Sequence, residues 1–180
     1  MSYKKFFWIV LSICAVCLAI VGFMSVALDP AHVFDAKYAK DIADILLREK
    51  NAANVANYDD RRFQRYFIQN NKAGKDIIVF GSSRSLQIDN SIFPGHSFFN
   101  HSVFGASLED HIAIYQLYRE QNRLPRTIII GVDPWILNRT NNQTRWLPLK
   151  NEYQDGIRAL GLSNYNLIED LKRQYMSTPT

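Results

Sequence analysis

Between Phe6 and Leu28 the chain reads FFWIVLSICAVCLAIVGFMSVAL, 23 residues without a charge, and nothing else in it restricts the fold so strongly. As a helix rising about 1.5 Å per residue this run is roughly 34 Å long, enough to cross the hydrocarbon core of a bilayer with a slight tilt. Lys4 and Lys5 precede it, whereas the next stretch mixes Asp29, Asp35 and Asp41 with Lys37 and Lys40. The positive-inside rule then leaves the N-terminus in the cytoplasm and exports the body, about 150 residues, to the periplasm or cell exterior. A cleaved signal peptide is the other reading, since Ser25-Val26-Ala27 has the small residues a signal peptidase needs. The run exceeds the roughly 7 to 15 residues of a secretory apolar region, which favours an uncleaved signal anchor in the inner or plasma membrane. Both readings export the body, and the lipid bilayer contacted by residues 6–28 is the first expected partner.

The 21 Lys and Arg against 17 Asp and Glu are spread along the chain, which argues against a dedicated nucleic-acid binder. A 47% hydrophobic and 13% aromatic content excludes intrinsic disorder. Cys14 and Cys17 both lie in the apolar run, so the exported body has no disulfide, and their spacing there reads as helix packing. Ile13 and Val16, not small residues, precede them, unlike a lipoprotein signal. His96, His101 and His111 have no zinc-like spacing, there is no phosphate-binding glycine loop, and no cofactor is expected.

Residues 29–75 read as a helical membrane-proximal spacer, with Ile42, Ile45 and Leu46 at helical spacing and then RRFQRYF. Arg61, Arg62 and Arg65 alternate there with Phe63, Tyr66 and Phe67, as in a half-buried helix with a solvated basic face; contact with anionic lipid or an acidic polymer is the alternative. From Asp76 the pattern changes. IIVF from Ile77, SFFN from Ser97 and TIIIGV from Thr127 are short apolar runs bounded by turn residues, predicting three buried strands of a parallel sheet. Ser107 to Gln121 carries Leu108, Ile112, Tyr115 and Tyr118 at helical spacing, and Ser107 with Asp110 forms a capping-box pattern. Strand, helix, strand at this spacing is a βαβ crossover, so residues 76–180 are expected to form an α/β domain, with a later helix near Ser163.

Open α/β sheets bind ligands beyond the carboxyl ends of their strands, so the residues after each run carry the information. They are Gly81-Ser82-Ser83-Arg84-Ser85, then Asn100 and His101-Ser102-Val103-Phe104-Gly105-Ala106-Ser107, then Asp133-Pro134-Trp135. Gly81 permits a tight turn, and a hydroxyl soon after it at a helix start suits a nucleophile beside oxyanion-binding amides. A plain serine cap accounts for the same residues.

The blocks resemble those of the SGNH hydrolase superfamily, in particular its exported, membrane-anchored branch associated with acyl transfer to cell-surface polymers. GSSRS is similar to the family's first block, with Ser83 at the nucleophile and Ser82 at the usual aspartate position. Gly105 in NHSVFGAS matches the second block, which supplies an oxyanion-binding amide. In GVDP, Gly131 matches the third block but Asp133 stands where the family has an oxyanion-binding Asn. No histidine follows His111, so the family's Asp-x-x-His block is absent from this sequence. The resemblance covers about residues 76–138. It implies a partial three-layer α/β/α sheet, and an N-terminal portion of a larger protein or a degenerate member.

What this implies is an acyltransferase or serine esterase ancestry acting on a cell-envelope glycan, inactive as the chain stands. Ser82, Arg84, Asn100, Trp135 and Trp146 are the expected binding residues around Ser83, Gly105 and Asp133. A cell-surface polysaccharide or an acyl donor is the expected ligand. Each Trp is otherwise explained by packing on the sheet edge. The alternative function is a non-catalytic envelope protein that binds a polymer or a membrane partner at the same edge.

Overall fold

The computed structural model describes residues 2–29, 36–53, 55, 57–138 and 143–162. The apolar run lies in helix α1, Tyr3–Leu28, which buries none of its residues against the rest of the protein. Its length and composition suffice to cross a membrane. Helices α2 (Ala36–Leu47) and α3 (Asp60–Asn70) follow, then strands β1 (Ile77–Phe80) and β2 (Phe98–Asn100). Helix α4 (Leu108–Glu120), strand β3 (Thr127–Ile130) and helix α5 (Lys150–Ala159) complete the described elements. The expected helix near Ser163 lies outside the described residues.

All three predicted strands form, and they pair in parallel in the order β2-β1-β3. The predicted crossover is α4, whose start carries the complete capping box: Ser107 accepts from the Asp110 N–H while the Asp110 carboxylate accepts from Ser107. Eight residues of α4 are buried, which uses more than one face of the helix because the sheet, α3 and α5 all pack on it. Gly156 of α5 makes the last of these contacts possible. A Cβ there would lie 2.8 Å from Ile112 Cγ2 and 3.2 Å from the Ile112 carbonyl. Gly156→Ala is expected to cost about 1 to 3 kcal/mol through overpacking, read as a lower urea midpoint by fluorescence.

Register decides which face of the sheet each helix covers. Ile78 pairs with Phe99 and Ile128, and Phe80 is on the same face two residues on. Phe99 stacks on Phe67 of α3 with ring centroids 4.0 Å apart, and Phe80 stacks on His111 of α4 at 5.9 Å. Helices α3 and α4 therefore lie on one face. Val79 pairs with Asn100 on the other face, and there Asn100 Nδ2 donates to the Ser85 and Ile88 carbonyls at 2.7 and 2.9 Å. Phe93 stacks on Phe98 nearby. The second face is thus covered, among the described residues, by the 3-10 turns of residues 83–96 rather than by a helix layer.

The segment expected as a spacer contributes to the core: Ala39, Ile42 and Ala43 of α2 and Phe63, Phe67 and Ile68 of α3 cluster with Ile78, Phe80 and Leu117. The basic face expected on α3 takes a different form too. Arg61 is buried and bonds Asp110 through two nitrogens, at 3.0 and 2.9 Å, while Arg65 pairs with Glu152 of α5. Only Arg62 keeps an exposed position, paired with Asp59 at the cap of its own helix. Asp60 and Arg61 occupy the first turn of α3 and reach the loop after β2, where the charges can be matched.

Strand β3 pairs with β1 alone and is the least covered of the three strands. Ile130 is 54% exposed and Val132 64%.

Candidate functional site

The strand order reverses around β1, so the carboxyl edge between β1 and β3 is the switch point at which open α/β sheets leave a crevice. The three turns singled out in the sequence meet there. Gly131 N–H donates to the Phe80 carbonyl at 2.7 Å, and Val103 N–H to the Gly81 carbonyl at 3.0 Å. Ser85 sits against both glycines: a Cβ on Gly81 would lie 2.6 Å from Ser85 Cβ, and one on Gly131 would lie 2.5 Å from Ser85 Oγ. Only hydrogen at these two positions lets the turns close together. Ser102 Oγ, buried with no hydrogen-bond partner among the described residues, is 3.1 Å from the same Gly81 position.

Ser82 is fully buried and caps a 3-10 turn, Ser83–Ser85, by accepting from the Arg84 N–H at 3.3 Å. That turn exposes Ser83 at its first position. The serine pair therefore divides its work, the first holding the turn and the second facing solvent. Gly105 adopts φ +58°, in the left-handed region, and the Arg145 side chain lies beside it. Neither Ser83 nor Gly105 uses its backbone N–H in a hydrogen bond among the described residues.

Arg84 bridges from the first turn to the third. Its guanidinium lies 3.5 Å from an Asp133 oxygen and 5.0 Å above the Trp135 ring. The Trp135 indole N–H donates to the Ala106 carbonyl at 3.3 Å, which joins the third turn to the second. Asp133 itself is buried beside this bridge. Its carboxylate is turned to a cation rather than left alone, although it cannot donate a hydrogen bond to an oxyanion while ionised. Asn100 serves the fold, holding residues 85 and 88 on the sheet. Trp146 packs edge-on against Tyr153 at 5.0 Å.

No described histidine is placed as a base for Ser83. His101 is fully buried, with Nδ1 2.5 Å from Gln64 Oε1 and Nε2 2.6 Å from the Tyr118 hydroxyl. The amide oxygen can only accept, so Nδ1 carries the proton and Nε2 accepts from Tyr118. Burial holds His101 neutral, with a pKa lowered to about 3. His111 is also buried and lowered by desolvation, against the opposing pull of Asp110 and Asp133, and its Nε2 has no partner among the described residues. It lines an apolar groove with Phe80, Ile128 and Ile130. His96 lies near Asp76, at the amino end of β1.

The loop bearing Gly105 is held by Asp60, which the sequence analysis did not single out, and by Arg61, which it expected on a solvated basic face. Asp60 accepts the Phe104 N–H at 2.7 Å while Arg61 donates to the Phe104 carbonyl at 2.9 Å. Both backbone groups of the residue before Gly105 are thereby fixed from α3. Burial raises the Asp60 pKa, with Arg61 pulling the other way. The available signal was the stripe Asp60, Arg61, Gln64, Phe67 and Ile68, whose polar members share a helix face with core residues. Among the described residues no group of His, Cys, Asp and Glu is arranged to hold a metal ion. Comparison with family models, with characterised proteins and with solved structures gives no match to this chain.

Proposed function

We propose that this chain is a membrane-anchored, exported protein of the SGNH hydrolase type, which presents the carboxyl edge of β1 and β3 to an acylated cell-envelope glycan at Ser83. The observation that carries the reading is the joining of three post-strand turns at one edge, through Arg84 to Asp133 and Trp135 to Ala106, with Ser83 exposed in the first turn. The amides of Ser83 and Gly105 have no hydrogen-bond partner among the described residues and would be available to a polarised ester oxygen. Ester chemistry also needs a base for the serine hydroxyl. His101 is committed to Gln64 and Tyr118, and His111 is enclosed by apolar side chains, so the described residues favour holding the ligand over turning it over.

Two measurements on the full chain in detergent test this. Calorimetric titration with O-acetylated glycan oligosaccharides is expected to give saturable binding, lost in Ser83→Trp, which fills the mouth from an exposed position. Absence of binding to the wild-type chain overturns the reading. A fluorophosphonate probe at neutral pH is expected to leave Ser83 unlabelled, as in Ser83→Ala; strong labelling of Ser83 would show that a base acts on it and overturn the assignment of binding without turnover.

A further inference from the structure

The edge of the sheet opposite Ser83 has its own chemistry. The amino ends of β1 and β3 are approached by residues 71–76 and 121–126, and Asp76 and Ser97 tie them to the start of β2. Lys72, Lys75, Arg123 and Arg126 surround a cavity of about 310 Å³ there, with Asp76 as its single acid. The Asp76 carboxylate is already used: it accepts from Ser97 N–H and Oγ at 3.0 and 2.7 Å, which lowers its pKa. Lys72, Lys75 and Arg126 form no salt bridge among the described residues, whereas Arg123 donates to the Asn71 carbonyl. Leu124, 49% exposed, stands among these cations. Cations around one protruding apolar side chain match the headgroup region of an anionic bilayer, which offers phosphates above and hydrocarbon below.

Connectivity is compatible with this edge lying towards the membrane. Seven Cα steps separate Asp29 from Ala36, a span of at most about 25 Å even fully extended. Lys40 lies 5.3 Å from the Tyr66 ring, so the first turns of α2 run beside the later part of α3. Helix α3 then passes through Asn71 into the amino end of β1. The start of α2 therefore lies beside the half of α3 that leads to Lys72.

We infer that the basic amino edge of the sheet, carrying Lys72, Lys75, Arg123 and Arg126, seats on the anionic phospholipid headgroups of the bilayer entered by α1, with Leu124 among them. Ser83, beyond the carboxyl end of β1, then faces away from the lipid. The attraction of this edge for anionic headgroups does not depend on α1 spanning the membrane, nor on any chemistry at Ser83.

The full chain, with Cys14→Ser and Cys17→Ser, is reconstituted into phosphatidylcholine vesicles with or without phosphatidylglycerol, carrying a bimane label at Leu124→Cys or Phe104→Cys. With phosphatidylglycerol present, the label at 124 is expected to shift to the blue and be quenched severalfold by headgroup spin labels, while that at 104 is not. Adding Lys72→Glu and Arg126→Glu, both at exposed positions, is expected to remove the difference, each lost cation weakening headgroup attraction about fivefold. Quenching at 104 instead of 124, or quenching at 124 that ignores phosphatidylglycerol, overturns the proposal. Extraction by alkaline carbonate reads the anchor separately. An extractable chain that still binds phosphatidylglycerol vesicles in a salt-sensitive way keeps the docking edge and loses the span. A resistant chain with no lipid-dependent signal at 124 does the reverse.

Discussion

Replacing Arg61 by Ala is expected to destabilise the body by about 3 to 5 kcal/mol, the usual cost of leaving a buried ion without its partner. Asp110 is fully enclosed and receives two nitrogens of Arg61, and Asp60 receives a third bond at 2.9 Å. Removing the guanidinium strands both carboxylates and frees the Phe104 carbonyl as well. Urea unfolding in detergent, followed through Trp135 and Trp146, measures the loss. Arg61→Ala with Asp110→Ala is expected to be less destabilised than the sum of the two single variants, because the first change already removes the interaction that the second would break. Strict additivity would mean that the two side chains do not stabilise one another.

Acidification is expected to destabilise the fold through His101. The unfolded imidazole titrates near 6.5 and the folded one at about 3. Between these values the unfolded chain binds the extra proton, so stability present above pH 6.5 is lost at about 1.4 kcal/mol per unit as pH falls, about 5 kcal/mol in all. Protonation would set a second N–H against a tyrosine hydroxyl that now donates to Nε2. His101→Gln cannot take up this proton. Its stability, lower at neutral pH because the paired ring is gone, is expected to fall less steeply than that of wild type between pH 6.5 and 4. Parallel curves for the two proteins would show that the histidine is not the group responsible.

The elements were legible where one local rule decided them. IIVF, SFFN and TIIIGV each became strands, as short β-branched and aromatic runs between turn residues predict, but only β1 is buried throughout: β2 is half-buried and β3 is exposed at both ends, because β3 lies at the edge of the sheet. Ser107 and Asp110 marked the start of α4 because both halves of the capping box lie within four residues. The convergence of the turns was also foreseeable from parallel pairing. What could not be read were contacts between residues far apart in sequence. Arg61 and Asp110 are 49 positions apart, and Gln64 and His101 are 37 apart. An alternation of Arg with Phe describes a solvated face until a buried carboxylate is brought opposite it, and only tertiary structure does that. The same applies to Ser85, one serine among several in the sequence, which the fold seats between Gly81 and Gly131.

Strand β3 has a further consequence for how such molecules behave in company. Backbone amides and carbonyls on its outer side have no ladder partner among the described strands, and Ile130 and Val132 stand exposed beside them. An edge of this kind is a template: it will extend along a fourth strand whoever supplies it, including a neighbouring copy crowded against it during synthesis. Neither charge nor proline interrupts Thr127 to Val132, so nothing within the strand discourages self-association. A bilayer that spaces the molecules out and fixes their tilt would therefore act as a chaperone for the sheet as well as its moorings.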